Sequence, residues 1–349
     1  MRIWFNQGFS LAPIASAMMA ADPGLEVVIS LGEGKPLRDT TATVWIEPNC
    51  DSAAYLSWVR HQISEHQVDV FVPTRRRSQL AIADLSCAVH LPAPPAVLAV
   101  LDDKLEFAKA IASSDVHSLT FDVADAADFI RKIQQFDEWF PYLEPCVKPR
   151  FGVNGHGFWR LTQTTQSPLT HLINPDERVM RRDLFYAALE AHEKTDAPIP
   201  FVLMPYFSGP EVSFDVLAHQ GAVLKYVART KASDRQRLQT RHALEPAVRQ
   251  LVGRFKLHGV VNIQFRRAAD GTWKALEINA RPAGGSIYAE ALGGGLLGDW
   301  GGLLTGRLRP HEVSQPEFDV EIELSAEPRI AKPQEAGLVP FIPADDPVL

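Results

Sequence analysis

Glu277 and Asn279 stand two residues apart in the run Ala275-Leu276-Glu277-Ile278-Asn279-Ala280-Arg281-Pro282, and Arg281 follows two residues further on. On an extended chain alternate side chains share a face. Ala275, Glu277 and Asn279 are therefore expected to point one way and Leu276 and Ile278 the other, with Arg281 continuing the polar face if the chain stays extended. Gln264 lies between the apolar Ile263 and Phe265 and falls on the polar side of its own strand. The connection Ala268-Ala269-Asp270-Gly271 predicts a hairpin that puts Gln264 and Glu277 on neighbouring strands. One carboxylate, two amide oxygens and a guanidinium then share a surface. Mg²⁺ takes a few protein oxygens completed by substrate phosphates, and an arginine suits charge on a transferring phosphoryl group. An ordinary exposed sheet face would alternate in the same way.

A second set surrounds Lys148. Cys146-Val147-Lys148-Pro149 reads as a strand end, Gly152-Val153-Asn154-Gly155-His156-Gly157 as a glycine-rich loop, and Phe158 to Leu161 as the returning strand of a hairpin. Glycine lets backbone N–H groups approach phosphate oxygens, and a strand-borne lysine adds a point charge. Lys148 with Gly152, Gly155 and Gly157 is thus a candidate phosphate cradle, with a plain mobile hairpin as the alternative. No GxxxxGKS or GxxxxGKT loop occurs, and Gly32-Glu33-Gly34-Lys35 has the wrong spacing for one. Met204 to Glu211 runs from a strand through a kinked linker into a strand that opens with a carboxylate. Backbone groups of Met204, Pro205 and Tyr206 suit an adenine edge and Glu211 suits ribose hydroxyls; a capped turn would read alike.

Several cations are candidates for substrate contact. Arg75-Arg76-Arg77 follows the apolar run Val68 to Val72. Ligands of open α/β sheets bind beyond the carboxyl ends of the strands, and the arginine fork suits carboxylate or phosphate. Arg75 and Arg76 are therefore candidate clamps, with a solubilising surface triplet as the alternative. Arg229 and Lys231 follow a strand-like run and are candidates for phosphate contact. Lys231 to His242, with Arg235, Arg237 and Arg241, reads as a solvated charge run or a mobile substrate loop. Gly284 and Gly285, before Ser286, offer backbone N–H groups at a helix start to a substrate carboxylate.

These residues need elements to hold them. Strands are expected over Met1–Phe5, Leu25–Ser30, Thr43–Ile46 and Val68–Val72, and helices over Leu11–Ala21 and Ser52–His66. That alternation predicts a parallel α/β layer, closed by Leu91-Pro92-Ala93-Pro94-Pro95. Helices over Asp103–Ser113, Ala124–Gln135 and Leu244–Phe255 follow. Further strands are expected over Phe201–Tyr206, Glu211–Ala218, Val223–Arg229, Val260–Arg267 and Thr272–Asn279. The acidic, proline-bearing tail after Pro310 is expected to be mostly irregular.

In this order and spacing the pieces resemble the ATP-grasp superfamily, in particular its carboxylate–amine ligases and the synthetase halves of carbamoyl-phosphate synthetase. The matching pieces are Asp103-Lys104 opening a helix, Cys146-Val147-Lys148-Pro149 before the glycine loop, the linker ending at Glu211, and Gln264 followed by Glu277-Ile278-Asn279-Ala280-Arg281. The resemblance implies an α/β chain with α+β lobes. A Rossmann-like pre-ATP-grasp domain would cover residues 1–98 and an ATP-grasp domain 99–310, with a lid lobe at about 140–205 and a metal-bearing lobe at about 206–310. Residues 311–349 would be a C-terminal extension. It further implies ATP bound through Lys104, Lys148, the loop glycines and the Met204–Glu211 linker. One or two Mg²⁺, with Mn²⁺ as an alternative ion, would sit on Gln264, Glu277 and Asn279. Lys148 and Arg281 would be catalytic. A carboxylate would attack the γ-phosphate to give an acyl phosphate, and an amine would displace phosphate. The implied partners are a small carboxylate and a small amine, and the implied assembly is a homodimer. Gln264 stands where many members carry Asp or Glu, which weakens the case for a second metal, and the linker at Met204 lacks the acidic residue some members place near adenine. Alternatives are a carbamoyl-phosphate-synthetase-like half, a kinase, or an ATP-binding module without catalysis. Intact Lys148, Glu277, Asn279 and Arg281 argue against the last.

Composition sets the outer bounds. A chain of 349 residues suits two or three structural units. Its net charge of −7 argues against a protein that coats nucleic acid. No run of ~18 apolar residues occurs, so no membrane partner is expected. Cys50, Cys87 and Cys146 lie far apart, without CxxC or His spacing, so neither a disulfide framework nor a local zinc site is expected, and a reducing, cytoplasmic setting fits. Asn6 and Gln7 interrupt the apolar core that a signal peptide needs, which leaves the first residues as a strand.

Overall fold

The computed structural model of the chain describes residues 1–8, 10–35, 40–152, 155–163, 167–232 and 235–325. Val153 and Asn154 of the glycine loop, Ser233 and Asp234 of the charged run, and the tail from residue 326 lie outside these. The chain divides into two units, one made of residues 1–95, 214–262 and 280 onward, the other of 96–213 and 263–279. Among the described residues no helix is long and apolar enough to cross a membrane.

The first unit opens with β1 (Arg2–Phe5), β2 (Glu26–Gly32), β3 (Thr43–Glu47), β4 (Val70–Val72) and β5 (Ala88–Val89), which form a sheet in the order β3-β2-β1-β4-β5. All its neighbours run parallel, as the strand–helix alternation predicts. Such a sheet is covered on both faces and its strands are almost wholly apolar. Trp4 anchors one face, stacked on Phe71 at 4.4 Å and meeting Trp45 and Trp58 edge-on at 5.0 and 5.5 Å. The helix Ser52–Glu65 on that side is capped by Asp51, whose carboxylate accepts the N–H groups of Ala53 and Ala54 at 2.8 and 2.9 Å. On the other face the helix Leu11–Ala21 packs beside a helix at Leu296–Leu304. Glycine weakens helix propensity, which hides that second helix in the sequence. Here a Cβ on Gly298 would lie 2.6 Å from the Ala21 methyl, so the glycine is what allows the helices to close.

The second unit holds β6 (Phe121–Val123), β7 (Pro145–Pro149), β8 (Trp159–Thr162), β9 (Val179–Arg181) and β10 (Phe201–Pro205) in the order β6-β10-β7-β8-β9. β7 and β8 pair antiparallel, as the glycine-loop hairpin requires. The helices Ala126–Trp139 and Arg182–Glu193 cover this sheet through Phe129, Phe136, Phe185 and Leu189.

A third sheet orders β11 (Glu211–His219), β12 (Ala222–Ala232), β13 (Arg235–Gln239), β14 (Gly259–Arg267), β15 (Trp273–Asn279) and β16 (Asp319–Glu323) as β15-β14-β11-β12-β13-β16. Two expectations change here. Arg235 to Gln239 is a strand and not part of a loop, with Arg235 and Arg237 exposed as a solvated charge run requires, and Arg229 and Lys231 lie inside β12, not beyond it. The tail, expected to be mostly irregular, supplies β16. Only Leu238 of β13 is fully buried, so no apolar alternation announces the strand. Its arginines instead meet the acidic tail, Arg235 with Glu321 at 3.1 Å and Arg237 with Asp319 at 2.7 Å.

Within the first unit, β11 carries Asp215, which is 0% exposed. Its carboxylate accepts Arg229 Nε from β12 at 2.5 Å, Asn262 Nδ2 from β14 at 3.0 Å and Ser286 Oγ at 2.8 Å. Breaking a buried ion pair leaves an uncompensated charge, at a cost of about 3 kcal/mol or more. Asp215→Ala is expected to lose about that much in urea unfolding monitored by circular dichroism. A change under ~0.5 kcal/mol, the range of ordinary surface substitutions, would contradict this role.

Candidate nucleotide and metal site

The second unit gathers the residues suited to phosphate. Arg150, just past β7, turns its guanidinium onto Asp103, with Nε 2.8 Å from Oδ1 and Nη2 2.7 Å from Oδ2. Asp103 is also the N-cap of the helix Lys104–Ala110 and accepts the N–H groups of Leu105 at 3.0 Å and Glu106 at 3.3 Å. The Lys104 N–H donates to the Arg150 carbonyl at 3.1 Å, and Lys104 Nζ donates to the Gly152 carbonyl at 2.9 Å. Cap, ion pair and strand end thus hold Lys104 beside the β7 strand that carries Lys148. Both lysines line one pocket, together with Met204 of β10 and Ala275 and Leu276 of β15. Phe107, Ala108, Ile111 and Val202 add apolar wall, and Ser118 and Thr120 add hydroxyls.

The charges in this unit sense one another. Burial pulls the Lys104 ammonium below its ordinary pKa, the Glu277 carboxylate opposes that shift, and the Lys148 ammonium adds to it. On β15, Glu277 and Asn279 share a face as the alternation predicts, and Asn279 Nδ2 donates to Glu277 Oε1 at 2.9 Å. With that donor spent, the Asn279 amide oxygen is the group left for a cation. The other half of the alternation is looser, because Ala275 and Ile278 are the buried residues of the strand while Leu276 is only partly covered. Gln264 is half-buried on the neighbouring strand β14. One carboxylate and two amide oxygens are hard donors that fit Mg²⁺. Among the described residues no group of three or more His, Cys, Asp or Glu gathers to hold a metal. A cation here would therefore rely on Glu277, the two amides and the oxygens of a bound phosphate.

Gly152, Gly155 and Gly157 have φ of 136°, 65° and 72°, conformations that favour glycine. Gly157 also passes Pro149 so closely that a Cβ would lie 2.5 Å from that ring. The linker meets only part of its expectation. Met204 faces the pocket, but the Tyr206 N–H donates to the Glu144 carbonyl at 2.8 Å and Pro205 has no N–H to offer. The Tyr206 ring is flanked by the guanidinium groups of Arg160 and Arg266, each 5.3 Å from its centre. Glu211 opens β11 and is half-buried.

The remaining sequence candidates lie in the first unit. Arg281 is half-buried and donates Nη1 to the Pro282 carbonyl at 3.1 Å. The preceding carbonyl, of Ala280, accepts Arg77 Nη1 at 3.2 Å. Arg75 and Arg76 are exposed, with the Arg76 guanidinium 4.1 Å over the Tyr55 ring. Gly284 and Gly285 open a 3₁₀ turn, Gly284–Leu292. The Ala283 N–H donates to Ser286 Oγ at 3.0 Å, and a Cβ on Gly285 would collide with the Arg229 guanidinium. Arg229 is only 3% exposed and also donates to Gln236 Oε1 at 3.1 Å, whereas Lys231 is exposed. Sequence reasoning did not single out Arg150 or Asp215, and it named Arg77 only as the last of the arginine triplet. Arg150 carried one local signal, since it lies two residues after Lys148.

This architecture recurs in solved structures. The L-amino acid ligase from Bacillus licheniformis is 16% identical, with 90% of this chain and 77% of that one covered at a TM-score of 0.59. N5-carboxyaminoimidazole synthase from Aspergillus clavatus, in complex with ADP and 5-aminoimidazole ribonucleotide, is 11% identical over 92% of this chain and 80% of that one, at 0.60. The biotin carboxylase domain of Hydrogenobacter thermophilus 2-oxoglutarate carboxylase, in complex with MgADP, ADP and bicarbonate, is 13% identical over 92% and 73%, at 0.60. The chain has the ATP-grasp fold, as its motifs imply. Residues 198–323 match the family described as ATP-grasp in the biosynthetic pathway with Ter operon. No curated protein matches the sequence.

The Asp103 carboxyl gives a pH test of the site's framework. Burial alone would raise its pKa, but hydrogen bonds from Arg150 and the Glu106 N–H outweigh burial and hold it below the ordinary value. A group depressed in the folded state contributes stability above its unfolded pKa and loses it as pH falls through the folded one. The stability gap between the natural chain and Asp103→Asn should be full near about pH 6 and shrink towards about pH 3. Urea unfolding at a series of pH values measures it. A gap that does not change with pH would mean that an ionised Asp103 is not what holds the helix.

Proposed function

We propose that the chain is an ATP- and Mg²⁺-dependent ligase that activates a carboxylate as an acyl phosphate and joins it to an amine. The observation that carries this is the pairing of Lys104 and Lys148 in one pocket, with the Glu277 carboxylate in electrostatic range of Lys104. Two ammonium groups match the charge of a polyphosphate, and their attraction strengthens where water is excluded. Met204 and Leu276 give an adenine ring an apolar surface in the same pocket. Glu277, Asn279 and Gln264 would hold Mg²⁺, which supplies charge neutralisation and alignment of the phosphates. The N–H groups of Gly155 and Gly157 would meet phosphate oxygens. Lys148 stabilises charge on the transferring phosphoryl group, and Arg281, two residues past Asn279 in the chain, stabilises the acyl phosphate.

In the first step a substrate carboxylate oxygen bonds to the γ-phosphorus and ADP leaves. In the second, an amine nitrogen bonds to the acyl carbon, phosphate leaves, and the amine proton passes to solvent. Positioning and charge neutralisation account for most of the catalysis such a transfer needs. Solved structures of this fold include one named an L-amino acid ligase and others complexed with ADP or MgADP, which supports the reading.

ADP release, screened over pairs of amino acids and small carboxylates with amines, tests it. On an accepted pair Glu277→Gln is expected to lower kcat by about a hundredfold or more while ATP still binds. Turnover by Glu277→Gln at the natural rate would overturn the metal assignment. ATP binding without ADP release for any pair would favour a binding module.

A further inference from the structure

Arginine carries five N–H donors and no acceptor, and it is seldom drawn out of water without a partner for its charge. The half-buried Arg150, Arg160, Arg181 and Arg182 of the second unit each meet a carboxylate. Arg266 of the same unit does not. It is half-buried near the end of β14, two residues past Gln264 and so on the same face of that strand. Its Nε donates to the Gly209 carbonyl at 3.2 Å, and its guanidinium lies 5.3 Å from the centre of the Tyr206 ring. Among the described residues neither Nη group has a hydrogen-bond or ion-pair partner. The group is anchored on one side and leaves its forked donors unused.

Strand pairing locates that fork. β7 and β10 match Lys148 with Val202 and Cys146 with Met204, and β7 and β8 match Cys146 with Arg160. Directly opposed residues share a face, and so do alternate ones. Tyr206, two residues past Met204 and beneath the Arg160 guanidinium, continues the face that carries Lys148. Leu276 and Tyr206 pack on the pair Cys146 and Met204. Burial pushes the Cys146 thiol up to about 11, and Lys148 and Arg266 both oppose that shift, so each cation stands in electrostatic range of this sulfur. Lys148 lies two residues nearer the glycine loop, about 7 Å along the strand. Arg266 therefore serves the end of the face away from the loop, where Met204 and Leu276 offer apolar surface.

The linker gives that end few donors. The Tyr206 N–H is spent on the Glu144 carbonyl, and Pro205 has none. Adenosine presents acceptors, its ring nitrogens and ribose oxygens. We propose that Arg266 is a further nucleotide-binding residue, whose Nη groups donate to the adenosine half of ATP where the linker cannot. This rests on the nucleotide site proposed above, and not on the ligase chemistry.

Calorimetric titration of the full chain with Mg²⁺ and the non-hydrolysable analogue AMP-PNP, and with Mg²⁺ and inorganic tripolyphosphate, tests it in the natural chain and in Arg266→Met, which keeps an unbranched stem and removes the donors. Arg266→Met is expected to bind AMP-PNP about tenfold more weakly, as the loss of a charge-assisted hydrogen bond predicts. Tripolyphosphate, which has no adenosine, should bind the two chains alike. Arg266→Leu should show the same split, and takes the place of Arg266→Met if that chain lacks a native circular dichroism spectrum. Equal AMP-PNP affinity in natural and variant chains would overturn the proposal. So would an equal loss for both probes, which would put Arg266 at the phosphates or in the frame of the site. A natural chain that does not bind AMP-PNP would overturn the nucleotide site itself and this inference with it.

Discussion

The candidate nucleotide site depends on a single carboxylate. Asp103 caps the helix that begins at Lys104 and at the same time receives the fork of Arg150. Helix start and strand end are thereby locked together, and the two lysines that line the pocket come one from each. A lysine side chain has many rotamers, and fixing one costs entropy. The protein reduces that cost by tying down the backbone on both sides of the pocket and by giving Lys104 Nζ a carbonyl to hold, that of Gly152. Glu277 opposes the effect of burial on Lys104, which keeps an ammonium tolerable in a partly apolar wall.

A similar device works in the first unit at the turn that follows β15 in the chain. Arg77 holds the Ala280 carbonyl, and Ser286 hands the turn on to Asp215, itself satisfied by Arg229 and Asn262. Arg281 sits between these two fastenings in the chain. Arg229 lies under Gly285, and its buried place makes it a support of this turn. Arginine suits such a post because its five donors serve several acceptors from one rigid plane.

Much of this was legible in the sequence because the decisive signals are local. The β14–β15 hairpin announces itself by alternation and by a short turn, so Gln264, Glu277 and Asn279 fall on adjacent strands of one sheet as expected. The parallel order of the first sheet follows from strand–helix alternation. What stayed hidden is non-local. Asp103 and Arg150 are separated by 47 residues, and no spacing rule connects them. β13 has one buried side chain and is paired by charges on a tail remote in sequence. The helix Leu296–Leu304 is rich in glycine, and its reason lies in the neighbouring helix. The Tyr206 N–H was expected to be free, but a carbonyl from another segment takes it.

The most direct measurement is the affinity of Mg²⁺ with the non-hydrolysable analogue AMP-PNP, titrated calorimetrically into the natural chain and into Arg150→Met. Arg150 has no assigned contact with the nucleotide; its guanidinium forks onto Asp103, the cap of the helix that begins at Lys104, and also meets Glu106 and Asp122. If that lock organises the site, the natural chain binds and Arg150→Met binds about tenfold more weakly, a loss of about 1.4 kcal/mol, with Lys104, Lys148 and Glu277 all present. Equal affinity in the two chains would contradict it.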